Sequence, residues 1–308
     1  MNRKKHIAVL HASGSDFSFR NHNELQAWSE QFTELTLIAD ITSLLVSVPA
    51  SPSNAGFVTR VARRLIREWN KYDGFIVVLD RHSFLFTSQL LGMMLDDVGK
   101  PVVMMHPQRV AESLSVYAQR QMIDRVLRTQ LLNAVQLATE DISGVLLLES
   151  LSNNQVTLAY QGVGFAIRAL DGTSYGWIDF QVHFESQIPR RSMQRPQKED
   201  IIDFSRLALA LVKSNNHGVH VSISNDAGVA IVRADDALPL SVVELLPPGC
   251  TALLMAPDAA YVYANGNIIP VDHVHESAEM LAAQFAVLLW QQPQLSGQQL
   301  LNAIEESI

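Results

Sequence analysis

With 308 residues and 48% hydrophobic content, the chain is long enough for one large domain or two ordinary ones, each with its own core. Its formal net charge of -8 excludes a general nucleic-acid surface, because phosphate binding needs a basic face, and the run Arg3-Lys4-Lys5 is too short to supply one. The single cysteine, Cys250, excludes an internal disulfide and fits a reducing compartment. Nothing beside it marks an activated nucleophile, so it is expected to be a small buried side chain.

The first residues are basic like the head of a signal peptide, but the apolar run at 7–10 is broken by His11 and Ser13, which makes it a first core strand. No apolar stretch is long enough to cross a bilayer, so the expectation is a cytoplasmic protein with no membrane partner. Further short apolar runs at 35–38, 76–79, 102–105 and 145–148 alternate with helix-like stretches, and this alternation predicts a parallel sheet covered by helices on both faces. Ahead of the run at 76–79, Val58, Val61, Ala62, Leu65 and Trp69 share one helical face, while Arg60, Arg63, Arg64 and Arg67 share the other as a solvated face. Helices are also predicted from 84 to about 95 and from about 122 to 138, the second with Leu127, Leu131, Ala134 and Ala138 in one stripe.

Residues 186–200 hold two prolines, four basic residues and three glutamines with almost nothing apolar, which reads as a linker. It separates a larger N-terminal α/β domain, 1–185, from a smaller C-terminal α/β domain, 201–308. In the second, a helix is predicted at 201–213, strands at 220–224, 229–232 and 252–255, and a closing amphipathic helix at 277–290.

The stretch Tyr72-Asp73-Gly74-Phe75-Ile76-Val77-Val78-Leu79-Asp80-Arg81-His82-Ser83 carries most information about function. It reads as a turn, a buried strand and then charged groups where that strand ends. Ligands of open α/β sheets sit beyond the carboxyl ends of the strands, so these polar residues are the first candidates for chemistry.

Together with four other segments, this stretch resembles the L-asparaginases. Ile7-Ala8-Val9-Leu10-His11-Ala12-Ser13-Gly14-Ser15 resembles the family's first strand and its threonine-glycine-glycine-threonine loop, and Tyr72-Asp73-Gly74-Phe75 resembles the run before its second catalytic loop. Val98-Gly99-Lys100-Pro101-Val102-Val103 and Leu131-Leu132-Asn133-Ala134 with Ala138-Thr139-Glu140-Asp141-Ile142 follow in the family's order. Gly266-Asn267-Ile268-Ile269-Pro270 and the helix ending Leu288-Leu289-Trp290 resemble the end of the cytoplasmic, type I branch. The resemblance implies an asparaginase-like two-domain α/β fold: a parallel sheet flanked by helices and a smaller second domain. It also implies a homodimer or a tetramer of dimers, and no cofactor.

The family's catalytic set of two threonines, an aspartate and a lysine does not carry over. By the resemblance the nucleophile position falls on Ser15, the second threonine and its aspartate on Arg81 and His82, the lysine near Leu158, and the serine holding the substrate carboxylate on Ala50 with Ser51 beside it. An alcohol nucleophile needs a base for its proton and donors for the oxyanion. Leu158 transfers no proton and Arg81 stays protonated. Ser15 then reads as a turn serine, as the nucleophile of a working amidohydrolase, or as one member of a set with Asp80 and His82. Arg81 reads as a planar clamp for a carboxylate or phosphate, or as an ion pair with Asp80 or a partner subunit. With the loop backbone at Gly14, and with Ser51 and His82, it forms the candidate ligand site. Asp272-His273-Val274-His275-Glu276 offers two histidines of one strand face without a third ligand, so no metal is expected there. The leading expectation is a catalytically impaired homologue that binds a small anionic ligand or a protein partner; the alternative is an amidohydrolase that releases ammonia from a small amide through Ser15.

Overall fold

The computed structural model describes residues 3–14, 18–49, 54–95, 98–107, 116–150, 165–170, 173–178, 181–185, 195–196, 201–215, 218–220, 223, 228–234, 240–256, 259–271, 278–292, 299–300 and 302–303. Side chains are excepted at 82, 116–126, 150, 211–215, 218–220, 240 and 278–280.

Runs of residues buried on both faces build the first sheet. β1 (His6–Ala12), β3 (Gly74–Leu79), β4 (Pro101–Met105) and β5 (Gly144–Ser150) lie side by side and parallel. Ile7, Val9, Ile76, Val78, Val103 and Met105 feed one core with Leu127, Leu131, Ala134 and Ala138 of α5 (Val116–Ala138). The alternate residues Ala8, Leu10, Val77, Leu79, Val102 and Met104 are buried too, which is why these strands read as unbroken apolar runs. β2 (Asp40–Leu45) pairs parallel with β1 at one edge, while β6 (Phe165–Arg168), β7 (Ser174–Ile178) and β8 (Val182–Phe184) continue the sheet antiparallel beyond β5, in the order β2-β1-β3-β4-β5-β6-β7-β8.

Two helices precede β2: α1 (His22–Ser29), capped by Asn21, whose side chain accepts the Glu24 N–H at 2.9 Å, and the single turn α2 (Leu35–Ile38). The apolar run at 35–38 is therefore helical and not a strand. The strand is the polar-rich segment after it, and an edge strand needs an apolar surface on one face only, which hides it from a search for apolar runs. α3 (Gly56–Glu68) buries Val58, Val61, Ala62 and Leu65 and exposes Arg60, Arg63 and Arg67 as the periodicity requires; Glu68 collects Arg64, Arg67 and Lys71 at its end. α4 (Phe84–Met94) follows β3 after one 3-10 turn, Arg81–Ser83.

The chain divides into two units, 1–50 with 61–200 and 51–60 with 201–308. In the second, β9 (Leu207–Asn215), β11 (Val229–Ala234) and β12 (Thr251–Ala256) are parallel. β10 (Gly218–His220) flanks β9, and β13 (Ala259–Ala264) and β14 (Asn267–Pro270) close the other side as hairpins. The helix expected at 201–213 is instead a 3-10 turn, Phe204–Arg206, leading into β9. The six-residue apolar run at 207–212 that opens β9 has no period to tell helix from buried strand. Residues 51–60 belong to this unit: Asn54 bridges Ala208 of β9, and Thr59 Oγ1, at the start of α3, donates to the Ile202 carbonyl at 2.9 Å. Asn265 and Gly266 adopt φ of 51° and 81°, the left-handed pair that a two-residue hairpin requires, which explains the Asn-Gly between β13 and β14. α6 (Ala278–Gln291) packs on β11 and β12. Cys250 is buried among Ala230, Val232 and Ala252, and burial pushes its thiol up to about 11, as expected of an inert packing residue. Among the described residues no helix is long and apolar enough to cross a membrane.

Candidate functional site

The register of β1 against β3 sets the geometry at the carboxyl end of the first sheet. Ala12 pairs with Leu79, so the next residues along, Ser13 and Asp80, are neighbours across the two strand ends. There Ser13 Oγ donates to Asp80 Oδ1 and the Gly14 N–H donates to Asp80 Oδ2 at 2.7 Å. Each carboxylate oxygen thus takes a donor from the β1 loop. Asp80 and Ser13 are buried, at 2% and 5% exposure, so the aspartate is held by the loop and not by water.

Two further features fix this corner. A Cβ at Gly14 would stand 2.5 Å from the Pro49 carbonyl oxygen and 2.6 Å from that of Val48, so only glycine lets the loop pass here. On the other side, the Asp80 carbonyl accepts from the Ser83 N–H at 3.1 Å and from Ser83 Oγ at 3.2 Å, which ties the aspartate backbone to the 3-10 turn. Asp80 opens that turn without capping it through its side chain, since the carboxylate faces β1.

Two histidines stand near the same end. His106 follows β4; its Nδ1 lies 3.0 Å from the Pro107 carbonyl, and its ring lies 4.6 Å from that of Phe84. His11 is buried between Phe19 and Trp28, whose rings meet it edge-on at 5.2 and 5.4 Å, and neither ring nitrogen has a hydrogen-bond partner. Burial lowers its pKa to about 3, so at neutral pH it is an uncharged packing group.

Of the sequence candidates, Gly14 lies at this corner and Arg81 lies exposed on the first position of the turn after β3. Ser15, Ala50, Ser51, Leu158, the side chain of His82 and the segment 272–276 lie outside the described residues. The Asp80 carboxylate, which the sequence suggests for an acid-base set with His82 and Ser15 or an ion pair with Arg81, accepts from Ser13 and Gly14. Ser13, His11 and His106 were not singled out for a role. The available signal was Ser13 one residue past a strand, but its partner depends on a register that a single strand does not encode. Among the described residues no group of three or more histidine, cysteine, aspartate or glutamate side chains is arranged to hold a metal ion.

The L-asparaginase I of Vibrio cholerae O1 biovar eltor superposes on 98% of the chain, over 97% of its own length, with a TM-score of 0.51 and 15% identity. A probable cytoplasmic L-asparaginase from Campylobacter jejuni covers 98% of this chain and 99% of its own, with a TM-score of 0.56 and 16% identity. The fold is that of the L-asparaginases. No protein-family model matches the chain, and no curated protein does. The asparaginase fold hosts the site without dictating its chemistry, which lies in the residues of the corner itself.

Proposed function

We propose that this asparaginase-fold chain does not turn over amides, and that it binds a small carboxylate-bearing, amino-acid-like ligand at the carboxyl end of β3. The observation that carries the reading is the Asp80 carboxylate on the Gly14 N–H and the Ser13 hydroxyl. Hydrolysis by a loop hydroxyl needs donors aimed at a developing oxyanion; here a loop donor is engaged by a fixed negative charge, which repels a second one. The positions matched to the family's threonine and aspartate hold Arg81 and His82, and the one near its lysine holds Leu158. None restores a proton acceptor of the family's kind. Arg81, exposed at the strand end, supplies the guanidinium for the ligand's carboxylate.

Two measurements test this. Purified protein should release no ammonia from asparagine, glutamine or related amides; release that disappears in Ser15→Ala establishes the amidohydrolase reading in its place. For a hit from a carboxylate screen, Arg81→Leu should weaken binding by about 1.5–3 kcal/mol, the range for a charge-assisted hydrogen bond. Unchanged affinity by calorimetry removes Arg81 from the site. The assembly that goes with this reading is a homodimer or a tetramer of dimers. Light scattering that returns a 34.2 kDa monomer at working concentration counts against it.

A further inference from the structure

We propose that the Ser13–Gly14 corner is a carboxylate-binding site that the chain keeps shut with its own Asp80. A main-chain N–H and a hydroxyl from adjacent residues converge on one carboxylate, one donor to each oxygen, which is how a free carboxylate would be held. The main-chain donor does not depend on Asp80 for its direction. Gly14 is set by the Val48 and Pro49 carbonyls packed against its α-carbon, and Val46 donates to the His11 carbonyl at 2.9 Å just upstream, so the loop root is fixed by the β2 side of the sheet. Asp80 reaches the corner from the other strand, its backbone anchored by Ser83.

Two consequences follow. A ligand approaching the corner finds the Ser13 and Gly14 donors taken, so its anionic group is left to Arg81, and whatever part of it meets the corner is neutral or a hydrogen-bond donor. The corner is also a vacancy in waiting. With the Asp80 side chain cut back, two converging donors lose their acceptor at a buried position, and a small carboxylate of the size of formate or acetate restores it. This deepens the binding reading above and rests on it only for the role of Arg81. Ammonia release would overturn that reading and leave the corner untouched.

The experiment is thermal unfolding of full-length wild type and Asp80→Ala with sodium formate or acetate, each against sodium chloride of equal ionic strength. The wild type should show no difference between the salts. Asp80→Ala should melt lower than wild type and recover saturably by at least about 2 °C with formate. A folded Asp80→Ala that responds to formate as it does to chloride overturns the proposal, as does a wild type stabilised by formate as strongly as the variant. If Asp80→Ala does not fold, the wild type decides. Its Gly14 amide is one of three that labelling serine carbonyls and glycine nitrogens selects, with those of Gly144 and Gly297, and is assigned by the signals that vanish in Ser143→Ala and Ser296→Ala; it should exchange slowly and keep its shift through a formate titration. A saturable shift of that amide means that the corner is open, and the proposal fails.

Discussion

The strands β1 and β3 are clipped together at both ends by the same device, an aspartate flanking β3 that accepts a main-chain N–H at the matching end of β1, and the two clips sit in opposite environments. At the amino end, Asp73 Oδ2 takes the His6 N–H at 2.7 Å with a side chain 39% exposed and Arg3 at 3.5 Å in solvent. At the carboxyl end, Asp80 takes the Gly14 N–H at the same distance, with 2% exposure and the Ser13 hydroxyl on its other oxygen. The histidines of β1 repeat the contrast: His6 has Thr42 Oγ1 at 2.9 Å, whereas His11 lies buried with no partner. Water at the amino end can take over any lost contact. At the carboxyl end it cannot, so the two ends should answer the same perturbation differently.

Acid is the strongest such perturbation. His11 has a pKa of about 3 in the folded chain, against an unfolded value of 6.5, so the unfolded state binds the extra proton first. Its contribution is therefore fully present above pH 6.5 and is lost as pH falls from there toward 3, at about 1.4 kcal/mol per pH unit and about 5 kcal/mol in all. His11→Phe keeps an aromatic ring beside Phe19 and Trp28 and removes the proton site. Urea unfolding of both chains across this range should give a wild type that loses stability relative to the variant on acidification. Parallel curves would show that protons reach His11 in the folded state, and the sealed carboxyl end would no longer be tenable.

How much of this was legible beforehand depended on what fixes each feature. The strands buried on both faces announced themselves through composition, and the arginine face of α3 through its period. β2 did not, because an edge strand needs only half an apolar pattern, and β9 did not, because an apolar run of that length suits helix and buried strand alike. At the site, the polar residues after β3 stood out as the place to look. That Asp80 accepts from Ser13 and Gly14 follows from the pairing of Ala12 with Leu79, a long-range fact. His11 read only as an interruption of an apolar run, and its isolation comes from Phe19 and Trp28 in the segment that folds back over the strand.

The smallest expected effect is the most direct test of the two clips, because the same substitution can be made in each. In Asp80→Asn the oxygen still accepts the Gly14 N–H and the amide nitrogen faces the Ser13 hydroxyl, which reverses to accept from it, so both bonds lose their charge assistance without water to compensate; about 1–3 kcal/mol of stability should go with it. In Asp73→Asn the remaining oxygen still accepts the His6 N–H, and what is lost is the exposed pairing with Arg3 and the attraction to the nearby Lys100 ammonium, together worth about 1 kcal/mol or less. Salt separates them further. Screening already weakens the Arg3 pair, so the cost of Asp73→Asn should shrink as sodium chloride is raised, while the cost of Asp80→Asn stays constant because its donors are a buried hydroxyl and a main-chain amide. Urea unfolding of both variants at low and high salt gives the comparison. Equal costs, or a salt dependence at Asp80 like that at Asp73, would mean that water reaches the carboxyl end as freely as the amino end, and the two clips would then be one device in one environment.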